Sequence, residues 1–184
     1  MSEGWVAVLP FKGNGQSKTR LQMPEAQELA QQWLTCAIEK CLSTPLIAQT
    51  WVVSLGDQLH IPPGVSWMRQ TGAGLNEGLR EWLSLERPAR WLVVLPDLPY
   101  LTAKDLEDLL TLCPDQGLAL APDRHRRGCN ALASSGCQPE LVFGKDSFLR
   151  FQAQPWAQAV VERSGLANDI DTLDDWNCVA CQHR

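Results

Sequence analysis

The run RWLVVLP (90–96) constrains this chain most. Trp91, Leu92, Val93, Val94 and Leu95 follow one another with no polar residue at alternate positions. Successive side chains of a strand point to opposite faces, so both faces of this strand must be covered. Strands of that kind belong to mostly parallel sheets flanked by helices. The run stops at Pro96, and Asp97 stands between it and a second proline at 99. An aspartate so placed is either a turn residue or a group held in a fixed direction at the end of a buried strand.

The remaining pattern alternates strand and helix. WVAVLPF (5–11), TWVVSL (50–55), VSWMRQ (65–70) and GLALAP (117–122) read as strands. Apolar positions repeat every three to four residues from Pro24 to Leu42, which predicts an amphipathic helix with proline in its first turn. GLNEGLREWLSLE (74–86) and TAKDLEDLLTL (102–112) predict two more helices, the latter capped by Thr102 with Asp105 three residues on. Between 129 and 165, ALAS, ELVF and AVVERS are candidate short strands and DSFLRFQAQ a short helix. The expected fold class is α/β, with a mostly parallel central sheet and helices on both faces. With 184 residues and neither an internal repeat nor a linker, one domain over 1–184 is expected.

Composition narrows the partners. The net charge of −5 argues against a nucleic-acid face over the whole surface, so small molecules in a local basic pocket are expected. No run approaches the roughly 18 apolar residues of a membrane span, and the N-terminus lacks a basic region before its apolar run, so the expectation is a cytoplasmic protein. The seven cysteines are odd in number and irregular in spacing, which fits reduced thiols filling core space. The Cys178/Cys181 pair lacks the second ligand pair of a structural zinc site, and it closes the chain where a redox motif would open a helix after a strand.

In open α/β sheets ligands bind beyond the carboxyl ends of the strands. Polar residues gather there: Lys12, Lys18 and Arg20 after the first strand, Asp97 after the central one, Asp123 and RHRRGCN after GLALAP, and Asp169 and Asp171 in LANDIDTLDDW (166–176). If 169–171 is extended, both aspartates face one side and Ile170 faces the core. Two carboxylates on one side suit Mg²⁺, which completes its shell with water and phosphate oxygens. The competing reading makes Asp171 or Thr172 a helix cap, with Asp174 and Asp175 in the first turn. The glycine-containing basic loop suits a triphosphate, although it is no Walker A sequence and a solvated basic loop is the commoner explanation of such a pattern. GKDSF (144–148) opens a short helix where Ser147 and free N–H groups either bind a second anion or cap the helix.

Together the pieces LPFKGNGQSKTRL, GAGLNEGL, LPDLPYLTAKDL, APDRHRRGCNAL, FGKDSF and LANDIDTLDDW, in order from residue 9 to 176, resemble the phospholactate or phosphoenolpyruvate guanylyltransferases of coenzyme F-420 biosynthesis. That family lies within the molybdenum-cofactor type of nucleotidyltransferase with a GT-A-like fold. The resemblance implies transfer of GMP from GTP to the phosphate of phosphoenolpyruvate, 2-phospho-L-lactate or 3-phospho-D-glycerate, with release of pyrophosphate. It implies divalent metal, two Mg²⁺ ions, on Asp97, Asp169 and Asp171, with Lys12, Lys18 and Arg20 facing the nucleotide phosphates. Gly74, Leu75 and Asn76 would lie near base and ribose, and Cys129, Gly144 and Ser147 would hold the acceptor phosphate. The chain departs from the family at Gly13, where proline is usual, at Cys129, where threonine is usual, and at RHRRG, where the approach is usually glycine-rich. The alternatives are a molybdopterin or sugar-phosphate nucleotidyltransferase of the same fold, or an inactive nucleotide-binding regulator. Oligomeric state is left open, a homodimer included.

Overall fold

The computed structural model describes residues 4–12, 26–56 and 61–170. Lys18, Arg20, Asp171, Gly13 and the Cys178/Cys181 pair lie outside the described residues.

β1 (Trp5–Phe11), α1 (Ala26–Ser43), β2 (Ile47–Ser54), β3 (Val65–Arg69), α2 (Leu75–Glu86), β4 (Arg90–Val94), α3 (Ala103–Leu112), β5 (Gly117–Pro122), β6 (Cys129–Ser135), α4 (Ser147–Gln152), β7 (Ala157–Val160) and α5 (Ser164–Ala167) follow in order. The strands form one sheet ordered β3-β2-β1-β4-β6-β5-β7. Its pairs are parallel except those of β6, which runs antiparallel to both β4 and β5. The start of β6 therefore lies at the same edge as the ends of β1, β4 and β5. Cys129 pairs with Pro122, and Ala131 with Val94.

β4 is covered on both faces, as its unbroken apolar run demands. Leu92 and Val94 join Leu34, Ala37, Ile38, Leu106 and Leu109 of α1 and α3 in one buried cluster. Trp91 and Val93 join Leu79 and Trp82 of α2 and Phe148 and Phe151 of α4 in the other. β1 divides the same way, with Ala7 and Leu9 on the first face and Val8 on the second. No helix among the described residues is long and apolar enough to cross a membrane.

Two expected strands are corrected. ELVF (140–143) is not in the sheet: Leu141, Val142 and Phe143 are all buried in the α2/α4 cluster. Both edges of β5 and of β6 are already taken, so the segment has no ladder to join. Side chains serve its backbone instead. The Gln154 amide exchanges two hydrogen bonds with Glu140 (2.9 and 2.8 Å), and the Asn76 amide does the same with Phe143 (2.9 and 3.0 Å). Arg80 donates to the Leu141 carbonyl at 2.9 Å. A buried backbone without partners is costly, and amide side chains carry the same donor and acceptor pair as a peptide. AVVERS is only half a strand: β7 ends at Val160, and Ser164 already opens α5.

The Thr102 cap forms as expected. Thr102 Oγ1 accepts from Asp105 N–H at 3.2 Å, and Asp105 Oδ2 accepts from Thr102 N–H at 2.9 Å. α5 packs onto this capping box through Gly165, where an added Cβ would stand 2.1 Å from Asp105 Oδ2 and 2.7 Å from the Tyr100 carbonyl. Gly165→Ala should therefore lower stability by about 1–3 kcal/mol, the usual range for overpacking. Urea unfolding measures it, and an unchanged midpoint would mean that α5 is not seated there.

Candidate functional site

A cavity of about 1000 Å³ opens at the edge where β1, β4 and β5 end and β6 begins. β1 and β4 are neighbours although β2, β3 and two helices separate them in sequence, so this is where the strand order reverses. Such a switch point is where open α/β sheets bind ligands. Lys12, Asp97, Cys129, Gly144, Ser147 and Asp169 all line the cavity, as does Leu75. The expected pieces thus come together from six separate parts of the chain.

Asp97 follows β4. The Ile170 N–H donates to the Asp97 carbonyl at 3.2 Å, which ties the segment after α5 to the end of the central strand. Ile170 is fully buried, as alternation predicted, and Asp169 lines the cavity beside it. Residues 168–170 form no strand, so this orientation comes from the bond to Asp97 and the anchor of Ile170.

Asn130 was not singled out by sequence reasoning. It sits at the second position of β6, 3% exposed, and its carbonyl accepts from Leu95 N–H at 2.9 Å. Its Nδ2 donates both to the Leu166 carbonyl at 2.9 Å and to Asp169 Oδ1 at 3.2 Å. One amide thus fixes the end of α5 and the Asp169 carboxylate together. The signal was legible as a buried-strand position occupied by an amide, which needs partners in a core.

Ser147 and Cys129 are joined, since the Cys129 N–H donates to Ser147 Oγ at 2.9 Å, both residues being buried. The Cys129 thiol donates to the Ala131 carbonyl at 3.1 Å. Burial pushes that thiol up to about 12, so it is neutral near pH 7. The donors of residue 129 therefore point to protein, while Ser147, which lines the cavity, keeps its hydroxyl proton uncommitted among the described residues. Gly144 has φ +119 with nothing within 4 Å of an added Cβ, so glycine is required there by backbone conformation and not by space.

Gly74 and Asn76 are structural in their visible contacts. The Gly74 N–H donates to Glu77 Oε2 at 2.6 Å, and Gln70 Nε2, from beneath, reaches the carbonyls of Gly72 and Gly74 at 2.7 and 3.0 Å. Asn76 spends its amide on Phe143. Of this trio it is Leu75 that lines the cavity.

Asp123 is also committed to shape. Its Oδ1 accepts from His125 and Arg127 N–H (3.1 and 2.8 Å) and its Oδ2 from Gly128 N–H (2.8 Å). Among the described residues no three His, Cys, Asp or Glu side chains cluster as a metal site. Asp97 and Asp169 supply two carboxylates at the cavity, and Asp171 lies outside the described residues.

The seven-stranded sheet with one reversed strand is the fold of solved nucleotidyl and nucleotide-diphospho-sugar transferases. A nucleotidyl transferase from Methanothermobacter thermautotroptrophicus superposes with a TM-score of 0.66 at 13% identity, over 97% of each chain. No protein-family model matches the chain. Phosphoenolpyruvate guanylyltransferase of Sphaerobacter thermophilus is 44% identical over 120 residues, 61% of this chain and 58% of that protein's length. The Chloroflexus aggregans phosphoenolpyruvate guanylyltransferase is 31% identical over 79% of this chain and 80% of its own. The 2-phospho-L-lactate guanylyltransferase of Methanopyrus kandleri is 26% identical over 91% and 87%. The chain belongs to the phosphoenolpyruvate/2-phospho-L-lactate guanylyltransferase family.

Asn76→Ala deletes both bonds to Phe143 and leaves a buried N–H and carbonyl without partners. It should cost about 1–3 kcal/mol of stability, read by chemical denaturation. Asn76→Asp keeps the acceptor and loses the donor, so it should fall between wild type and alanine. Equal stability of all three would remove the bridging role.

Proposed function

We propose that this chain transfers GMP from GTP to the phosphate of a small phosphorylated acid, phosphoenolpyruvate or 2-phospho-L-lactate, releasing pyrophosphate, as its relatives' names indicate for them. 3-Phospho-D-glycerate belongs to the same chemical class. The observation that carries this is the order of groups across the cavity. Lys12 stands at the end of β1, Asp97 at the end of β4 between them, and Ser147 beside the start of β6. The nucleotide phosphates then lie on the β1 side and the acceptor on the β6 side, with the carboxylates at the point of transfer.

An oxygen of the acceptor phosphate forms a bond to the α-phosphorus of GTP while the bond from that phosphorus to the α–β bridging oxygen breaks. The electron pair leaves on pyrophosphate. The attacking oxygen is already anionic, so no general base is required. The obstacle is approach, because two unit charges 4 Å apart repel by about 4 kcal/mol at an effective dielectric of 20. Lys12, with Lys18 and Arg20, offsets the triphosphate charge. The Ser147 hydroxyl donates to the acceptor phosphate, and the Gly144 N–H, which has no acceptor among the described residues, adds a second donor. The oxygen donors of Asp97 and Asp169 fit Mg²⁺, with Asp171 as the further ligand. Bound there, Mg²⁺ would supply charge neutralisation at the phosphates. Asn130 holds the Asp169 carboxylate in direction.

Asp97→Asn and Asp169→Asn should each lower kcat/KM at limiting Mg²⁺ by about a hundredfold or more, the scale of losing several kcal/mol of charge stabilisation. Asn130→Ala should weaken binding of Mn²⁺, titrated by its paramagnetic signal, about ten- to a hundredfold, as for other residues that orient a ligand. Near-normal turnover in both aspartate variants would make the acidic segment a cap and not a metal site. The nucleotide is tested separately: kcat/KM for GTP should exceed those for ATP, CTP and UTP, and a preference for CTP would place the chain with cytidylyl-transferring relatives of the fold.

A further inference from the structure

α5 is four residues long. A helix that short does not hold its own shape in water, so its place is set by what it touches. At its start, Arg163 Nε donates to Asp108 Oδ2 of α3 at 2.9 Å, and Lys104 takes Asp108 Oδ1 at 2.8 Å. The Arg163 carbonyl accepts from the Leu166 and Ala167 N–H groups at 3.0 and 2.9 Å, so the residue that grips α3 also begins the helix. Next, Gly165 lies so close to the α3 capping box that a Cβ there would stand 2.1 Å from Asp105 Oδ2. Leu166 is fully buried in the cluster that holds Leu101 and Leu106. At its end, the Leu166 carbonyl accepts from Asn130 Nδ2 and the Ala167 carbonyl from Arg124 N–H, both at 2.9 Å.

The chain then runs from Ala167 to Ile170, whose N–H donates to the Asp97 carbonyl at 3.2 Å. Asp169 lies between these two fixed points. A span of two residues has little slack, since each residue reaches about 3.3–3.6 Å at most. Where α5 sits therefore sets where the Asp169 carboxylate sits. Arg163, Gly165, Asp105 and Asp108 do not line the cavity, so they reach it only through α5.

We infer that α5 is a strut that positions the Asp169 carboxylate for a divalent cation, with Gly165 and Arg163 as its positioning residues. The inference rests on the reading of Asp97 and Asp169 as metal ligands. Gly117 supplies the comparison. It opens β5 at the edge of the sheet opposite the cavity, and a Cβ there would stand 2.5 Å from the Ala157 carbonyl and 2.6 Å from Pro114 Cγ. Alanine at either glycine overpacks the fold, but only Gly165→Ala pushes on α5.

The test titrates Mn²⁺ into the full chain by its paramagnetic signal, without substrate, and measures urea unfolding beside it. Gly165→Ala and Gly117→Ala should both lower the urea midpoint. The Mn²⁺ Kd should rise about tenfold in Gly165→Ala, the scale for residues that orient a metal ligand, and stay within about twofold of wild type in Gly117→Ala. Arg163→Gln removes an ion pair that reaches solvent, so it folds, and its Kd should rise about threefold. With GTP and phosphoenolpyruvate, kcat/KM of Gly165→Ala should fall about tenfold at limiting Mg²⁺ and recover to within about twofold at saturating Mg²⁺, because the loss is one of metal occupancy. An unchanged Mn²⁺ Kd in Gly165→Ala overturns the inference, as does an equal loss in Gly117→Ala, which would be general loosening. If Gly165→Ala does not fold, Arg163→Gln decides, and a wild-type Kd there overturns it. If wild type binds no Mn²⁺, or Asp169→Asn binds it as well as wild type does, the metal reading of the carboxylates fails and takes the inference with it.

Discussion

The site depends on the seating of one reversed strand. β6 pairs antiparallel with β4 on one side and β5 on the other, through a register that sets Ala131 against Val94 and Cys129 against Pro122. In a wholly parallel sheet the start of that strand would lie at the opposite edge, about 20 Å away for a strand of seven residues at about 3.3 Å each. Reversal brings Cys129 and Asn130 beside Asp97 without any long loop. The Leu95 N–H to Asn130 carbonyl bond continues the ladder one step past β4 and fixes this junction. The β6 side of the cavity is thereby part of the sheet, and its backbone is held by a buried hydrogen-bonded ladder.

Much of the fold was legible because the core strands are apolar on both faces. RWLVVLP could not be a half-exposed strand, and the 3.6-residue repeats around Leu34, Leu79 and Leu106 could only be helices facing such a sheet. ELVF misled for a physical reason. Local apolar character reports burial, and three successive buried residues read as a strand whether or not a ladder is open beside them. Asn76 and Gln154 decided the outcome from 64 or more positions upstream and 11 or more downstream of Phe143 and its neighbours, in a pairing that no local pattern encodes.

The site shows the same division. Lys12, Leu75, Asp97, Gly144, Ser147 and Asp169 could be placed near one another because strand ends and helix starts are visible in sequence, and they line one cavity. Asn130 was not singled out, because its contacts are set by tertiary neighbours: it meets Asp169 across 39 positions. The bond of Asn76 to the Phe143 backbone was not legible, because a motif marks where a residue sits in the fold and its partner is set by what packs against it.

The loop of residues 123–128 is shaped almost entirely by one side chain. Asp123 gathers the N–H groups of His125, Arg127 and Gly128, its own N–H meets the Gly128 carbonyl at 2.9 Å, and the near contact of 2.8 Å between Asp123 and a Cβ at position 128 calls for glycine there. None of those bonds uses a side chain at 124–127. The loop therefore keeps its course through Asp123 and Gly128, and the four residues between them are left free to vary without loss of that set of bonds.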